Sequence, residues 1–125
     1  MAIHKVLLVD DEPDIRRLAQ LSLTAIGKWQ VIACATGTEA LLLAASEQPD
    51  AILMDVMMPV LDGPATLLAL RENPLTAHIP VVFMTATGDE DEVTRLCSLG
   101  ARGVISKPFA PLLLASRLTA LVEAP

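Results

Sequence analysis

The 125-residue chain has the length of one domain, enough to bury roughly two-thirds of its unfolded surface without disulfides or metal staples. Hydrophobic residues make up 53%, which excludes disorder, and nine basic against fifteen acidic side chains leave a net charge of -6. That balance argues against a nucleic-acid partner, which needs a basic stripe, and the only adjacent basic pair is Arg16-Arg17. No apolar run approaches the ~20 residues of a membrane span. The opening run Val6 to Val9 stops at Asp10, too short for a signal-peptide core. Cys34 and Cys97 lack ligand spacing and read as reduced thiols. Trp29, Phe83 and Phe109 are the only aromatics, too few for a base-stacking platform. The expectation is an acidic cytoplasmic domain with no membrane or nucleic-acid partner.

In chain order, Val6 to Val9 is a continuous apolar run, the mark of a strand buried on both faces. Pro13 opens a helical segment with Ile15, Leu18, Ala19, Ser22 and Ile26 on one face, ended by Gly27. Val31 to Ala35 is a second strand. Thr36 and Glu39 match a capping box for a helix that stops before Pro49. Ala51 to Met54 is the third strand, followed by a helix from about Pro64 to Glu72. Val81 to Met84 is the fourth, and Asp89 caps a helix running to Leu99, with Gly100 beyond it. Gly103 to Ser106 is the fifth strand, and Pro111 starts the last helix.

Five strands alternating strictly with five helices indicate an α/β fold, a parallel sheet with helices on both faces. Right-handed crossovers leave few topologies, and the flavodoxin-like order 2-1-3-4-5 suits five units of this size. The strand ends carry the chemistry. Strand one runs into Asp10, Asp11 and Glu12, strand three ends at Asp55, strand four at Thr85, and strand five at Ser106 and Lys107. In an open parallel sheet the ligand crevice lies at the carboxyl ends, where the strand order reverses. Asp10, Asp11 and Asp55 converge there, with Thr85 and Lys107 on the far side. Three packed carboxylates call for a cation or a proton, and hard oxygen ligands suit Mg²⁺. A cation, a lysine and a hydroxyl around one carboxylate describe a phosphoryl site with Asp55 as nucleophile. Acids at helix starts are favoured by the helix dipole alone, which accounts for Asp14, Asp62 and the run Asp89 to Glu92 but not for Asp55.

The segments Val6-Leu7-Leu8-Val9-Asp10-Asp11-Glu12-Pro13, Ile52 to Gly63 around Asp55, Val82-Phe83-Met84-Thr85-Ala86 and Lys107-Pro108-Phe109 resemble the receiver domain of two-component response regulators. The resemblance covers essentially the whole chain, in order and spacing. It implies that Asp55 is the phosphoacceptor and that Asp10 and Asp11 belong to the Mg²⁺ pocket. It also implies that Met57 gives the metal a backbone carbonyl, that Thr85 is the switch hydroxyl, that Lys107 pairs with phosphoryl oxygens, and that Lys107-Pro108 is cis. The family commonly carries an aromatic or His three residues before the lysine; here that residue is Val104, so a ring-flip readout is missing.

The function expected from this resemblance is Mg²⁺-dependent acceptance of a phosphoryl group from a histidine kinase or phosphotransfer protein, switching a protein-interaction surface. The chain would be a signalling domain rather than an enzyme, with residues 1–125 as a single receiver and no output domain in it. Its downstream partner or second copy would meet the 89–122 face, where Leu112, Leu113 and Leu114 either pack the core or lie exposed. The alternative is a pseudo-receiver that only binds partners, but no acid, threonine or lysine of the set is missing. A haloacid-dehalogenase-type phosphatase would need Asp two residues after Asp10, where Glu12 stands, together with a cap insertion.

Overall fold

The structure is a computed structural model and describes residues 2–124. Five parallel strands form one sheet in the order β2-β1-β3-β4-β5: β1 Lys5–Val9, β2 Gln30–Cys34, β3 Ala51–Asp55, β4 Val81–Thr85 and β5 Gly103–Ser106. The helices are α1 Pro13–Ala25, α2 Gly37–Glu47, α3 Gly63–Glu72, α4 Glu90–Ser98 and α5 Leu114–Glu123. The strand order and the five-helix count are those expected from the alternating pattern. β3 and β4 are buried at every residue, as continuous apolar runs in a sheet covered on both sides must be.

Strand alternation divides the core in two. Leu7, Val9, Ile52, Met54, Val81 and Phe83 meet Ala40, Ala44, Leu67, Leu70 and Leu96 of α2, α3 and α4. Val6, Leu8, Leu53, Val82, Met84 and Ile105 meet Ala19, Leu23, Leu114 and Leu118 of α1 and α5. Burying each such Leu, Ile or Phe contributes about 1.5–3 kcal/mol.

Helix starts follow local chemistry. Thr36 Oγ1 accepts from the Glu39 N–H at 3.1 Å, Asp62 Oδ1 from the Ala65 N–H at 2.9 Å, and Asp89 Oδ1 from the Glu92 N–H at 2.8 Å. Two expectations are corrected. The inward face of α1 is built from Ala19, Ser22 and Leu23, whereas Leu18 and Ile26 lie 42% and 44% exposed. The apolar spacing there fits two adjacent faces, and only packing against α5 selects one. Nor does the last helix begin at Pro111. Residues 111–113 form a turn, the Pro111 carbonyl accepts from Ser22 Oγ of α1, and helix starts at Leu114. Leu114 is fully buried, while Leu112 and Leu113 are exposed at 77% and 53%.

The loop from β3 into α3 is tightly folded. The Leu61 N–H donates to the Pro59 carbonyl at 2.8 Å across Val60, whose φ is 69°. This is a γ-turn of the strained kind, centred on a β-branched residue. Gly63 then passes so close that a Cβ there would stand 2.5 Å from the Asp55 carbonyl oxygen.

Candidate functional site

From β1 the chain crosses to β2 on one side of the sheet, and from β3 it crosses to β4 on the other, so the crevice opens between the carboxyl ends of β1 and β3. Asp10 follows β1 and extends its ladder, donating its N–H to the Cys34 carbonyl at 3.1 Å. Asp55 closes β3, and the next N–H, of Val56, bonds the Met84 carbonyl at 3.0 Å. Both acids are therefore held by the sheet and buried, Asp10 completely. Carboxylate oxygens of Asp10, Asp11 and Asp55 lie within 4.8 Å of one another. The three-acid convergence inferred from the strand ends is present.

Lys107 enters from the end of β5. Its Nζ is 2.9 Å from Asp10 Oδ2, 3.1 Å from Asp55 Oδ2 and 3.3 Å from Glu12 Oε1. Its backbone is fixed by donation to the Thr85 carbonyl at 2.7 Å, and the Lys107-Pro108 bond is cis. Burial alone would lower the pKa of the ammonium, but Asp10 and Asp55 beside it outweigh that and hold it above the ordinary lysine range. Burial pushes the Asp55 carboxyl upward, Lys107 opposes that, and the charge of Asp10 adds to the rise. Asp55 Oδ1 is held only weakly, by the Met57 N–H at 3.4 Å.

Asp10 Oδ1 accepts from the Glu12 N–H at 2.9 Å, but Asp10 Oδ2 is buried with no hydrogen bond aligned on it. Lys107 Nζ, 2.9 Å away, pairs with its charge. A fully buried carboxylate with no other side chain paired to that oxygen, inside a three-acid cluster, fits a hard cation. Met57, with Asp11, Met58 and Pro59, lines a cleft of about 320 Å³ beside that cluster.

Thr85 sits at the end of β4, at the predicted position, yet its side chain joins a different set. Strand alternation puts it on the side of Val81 and Phe83, which is the α4 side. Its Oγ1 donates to Glu92 Oε1 at 2.7 Å and lies 3.4 Å from Thr87 Oγ1. Among the described residues the Thr85 hydroxyl makes no hydrogen bond to Asp55 or Lys107. Val104 faces the same side and is partly buried there. Sequence reasoning missed Glu92 and Glu12. Glu92 belonged to an acidic run that the helix dipole already explained, and only its spacing of seven from Thr85 hinted otherwise.

A parallel five-stranded sheet in the order 2-1-3-4-5, with three acids and a lysine gathered at its carboxyl edge, defines the class of α/β domain to which the chain belongs. The family model described as response regulator receiver domain matches residues 6–119, and the chain belongs to that family. It is 41% identical over 120 residues to the probable transcriptional regulator ycf27 of Cyanophora paradoxa, covering 95% of this chain and 48% of that protein. It is 38% identical over 119 residues to the alkaline phosphatase synthesis transcriptional regulatory protein PhoP of Bacillus subtilis, covering 95% and 48%. The chain thus spans about half the length of these curated relatives. Among solved structures, the chemotaxis protein CheY4 of Vibrio cholerae superposes with a TM-score of 0.88 at 32% identity, covering 96% of this chain and 99% of that one. A putative response regulator from Chloroflexus aurantiacus gives 0.87 at 32%, covering 96% and 98%.

Proposed function

We propose that this chain accepts a phosphoryl group on Asp55 from a histidine kinase or phosphotransfer protein, and that it does so with Mg²⁺. The observation that carries the reading is the geometry of Asp55 at a buried strand end with Lys107 Nζ at 3.1 Å and the buried carboxylate of Asp10 beside it. Asp10, Asp11, Asp55 and the Met57 carbonyl would hold the metal, which when bound neutralises the carboxylates and the phosphoryl oxygens. Asp55 Oδ1, the less engaged oxygen, attacks phosphorus; an O–P bond forms, the donor's N–P bond breaks, and the imidazole keeps the electron pair and takes a proton. Lys107 stays charged throughout and turns its ammonium to the new phosphoryl oxygens. The chain's own part is acceptance and switching, which makes it a signalling domain with residues 1–125 acting as one receiver unit. The same reading places it in the cytoplasm, where Cys34 and Cys97 remain free. Exposed Leu112 and Leu113 lie on the 89–122 face proposed for a downstream partner or a second copy.

Incubation with acetyl phosphate and Mg²⁺ should add one phosphoryl group by intact mass, and Asp55→Asn should remove that gain entirely. Undiminished labelling of Asp55→Asn sends the chemistry to another residue. Mg²⁺ at a hundredfold excess over its Kd should stabilise the fold by about 2.7 kcal/mol, read as a rise in melting temperature that Asp11→Ala largely abolishes. An unmoved melting temperature counts against the metal site.

A further inference from the structure

Glu92 lies in the first turn of α4, on the opposite side of Thr85 from the acid cluster. Its carboxylate spans two hydroxyls: Thr85 Oγ1 donates to Oε1 at 2.7 Å, and Thr87 Oγ1 donates to Oε2 at 3.0 Å. Its backbone N–H is fixed by Asp89 Oδ1, so the side chain reaches out from an anchored turn. A threonine hydroxyl has one proton to donate. While Thr85 gives that proton to Glu92, it cannot donate to a phosphoryl oxygen on Asp55. The two bonds exclude each other.

We propose that Glu92 is a latch, a positioning residue that holds Thr85 in its unphosphorylated place, and that phosphorylation releases α4 by drawing the Thr85 hydroxyl away from it. The proposal rests on the reading of Asp55 as phosphoacceptor. The Thr85 backbone is tied to Lys107 across the β4–β5 edge, so its side chain is the part that turns. Once released, Glu92 loses its strongest donor and faces a new anion from a helix start that already carries Glu90 and Asp91. Apart from these bonds α4 is held by Leu96 and, at its C-cap, by the partly buried Leu99. Leu96 is its one buried residue, and Gly88, at φ 60°, is a ready hinge before it. The left-handed φ there favours glycine, and Gly88 packs against Ser106, the residue preceding Lys107. Val104 has no ring to swing into the space that Thr85 leaves. The signal therefore leaves the site through Glu92 and α4.

The test compares wild type, Glu92→Gln, Glu92→Asp and Asp55→Asn in the full chain with Mg²⁺. Readouts are beryllofluoride affinity by fluorine NMR, amide exchange over residues 88–99, and melting temperature. Glu92→Gln keeps the shape but loses the charge and one acceptor, and should bind beryllofluoride about fivefold tighter, because hydrogen bonds to charged groups are the stronger ones. Its exchange pattern over 88–99 should shift, without beryllofluoride, toward that of the wild type with it. Glu92→Asp should fall between the two. If Glu92→Gln folds poorly, Thr87→Val removes one of the two hydroxyl donors and should tighten binding about twofold. Unchanged beryllofluoride affinity in both variants overturns the latch, since a purely structural role moves only the melting temperature. A wild type that binds beryllofluoride no better than Asp55→Asn overturns the phosphoacceptor reading instead.

Discussion

α3 and α4 cover the same face of the sheet and begin alike, each capped by an Asp whose Oδ1 accepts from the N–H three residues on. They differ in what fastens them. α3 buries Gly63, Thr66, Leu67 and Leu70, and Thr66 Oγ1 bonds back to the Asp62 carbonyl within its own turn at 2.7 Å. α4 buries Leu96 alone, and its first turn reaches out of the helix to two threonines of the β4 end. One helix is held by four buried residues, the other by one buried leucine, the partly buried Leu99 at its C-cap and a set of hydrogen bonds. The lesson is that a uniform layered fold can fasten one helix mainly through its core and its neighbour largely through polar contacts at its first turn.

The sharpest way to break this comparison is to empty the core beneath each helix. Leu67→Ala should cost about 2–5 kcal/mol in urea unfolding, as buried Leu truncations do. Leu96→Ala removes an equally buried side chain. Its global cost is capped by the free energy of undocking α4, so the urea midpoint should fall less while α4 amides lose protection. Equal falls in midpoint, with α4 as protected as α3, would erase the distinction. The caps repeat the contrast on a smaller scale. Asp62→Ala should lower global stability by about 1 kcal/mol. Asp89→Ala should act mainly on local exchange of α4, because the helix opens before the domain does.

A pH series sharpens the contrast from the side of Asp55, which leads into α3. Burial holds its folded pKa above the ordinary 3.8, so the folded state binds that proton more tightly than the unfolded one. Stability should then fall as pH rises from the ordinary carboxylate range through the raised folded value, and level off above it. Asp55→Asn lacks that segment of slope, and its advantage over wild type should grow across the same window. Parallel stability curves for the two proteins, by chemical denaturation, would show that burial does not burden Asp55.

Much of this arrangement was legible in the residues. Continuous runs ending in Asp10, Asp55, Thr85 and Ser106-Lys107 marked the strands, because buried parallel strands are apolar throughout and the polar residues stand where each run stops; their order came from the topology that suits five alternating units. The caps at Thr36 and Asp89 have short-range causes and sit where expected, and Asp62, read only as an acid at a helix start, proves to be a third. What stayed hidden depends on packing between distant elements. Leu18 and Leu23 compete for one helix face, and contact with α5 decides between them. The start of α5 depends on Ser22 of α1 engaging the Pro111 carbonyl, a contact across 89 positions. Thr85 lay at the predicted strand end, but the face it presents, and so its bond to Glu92, follows from strand alternation combined with the placement of α4.

Val60 carries a consequence for how this loop can drift over generations. It is fully exposed, and it holds a branched side chain at a φ of 69° where glycine or asparagine would rest more easily. Conformations of this kind cost on the order of 1–3 kcal/mol, part of which a glycine would give back in the unfolded chain. The exposed side chain at position 60 can therefore vary, and each substitution there changes how stiffly the loop between Asp55 and α3 is sprung.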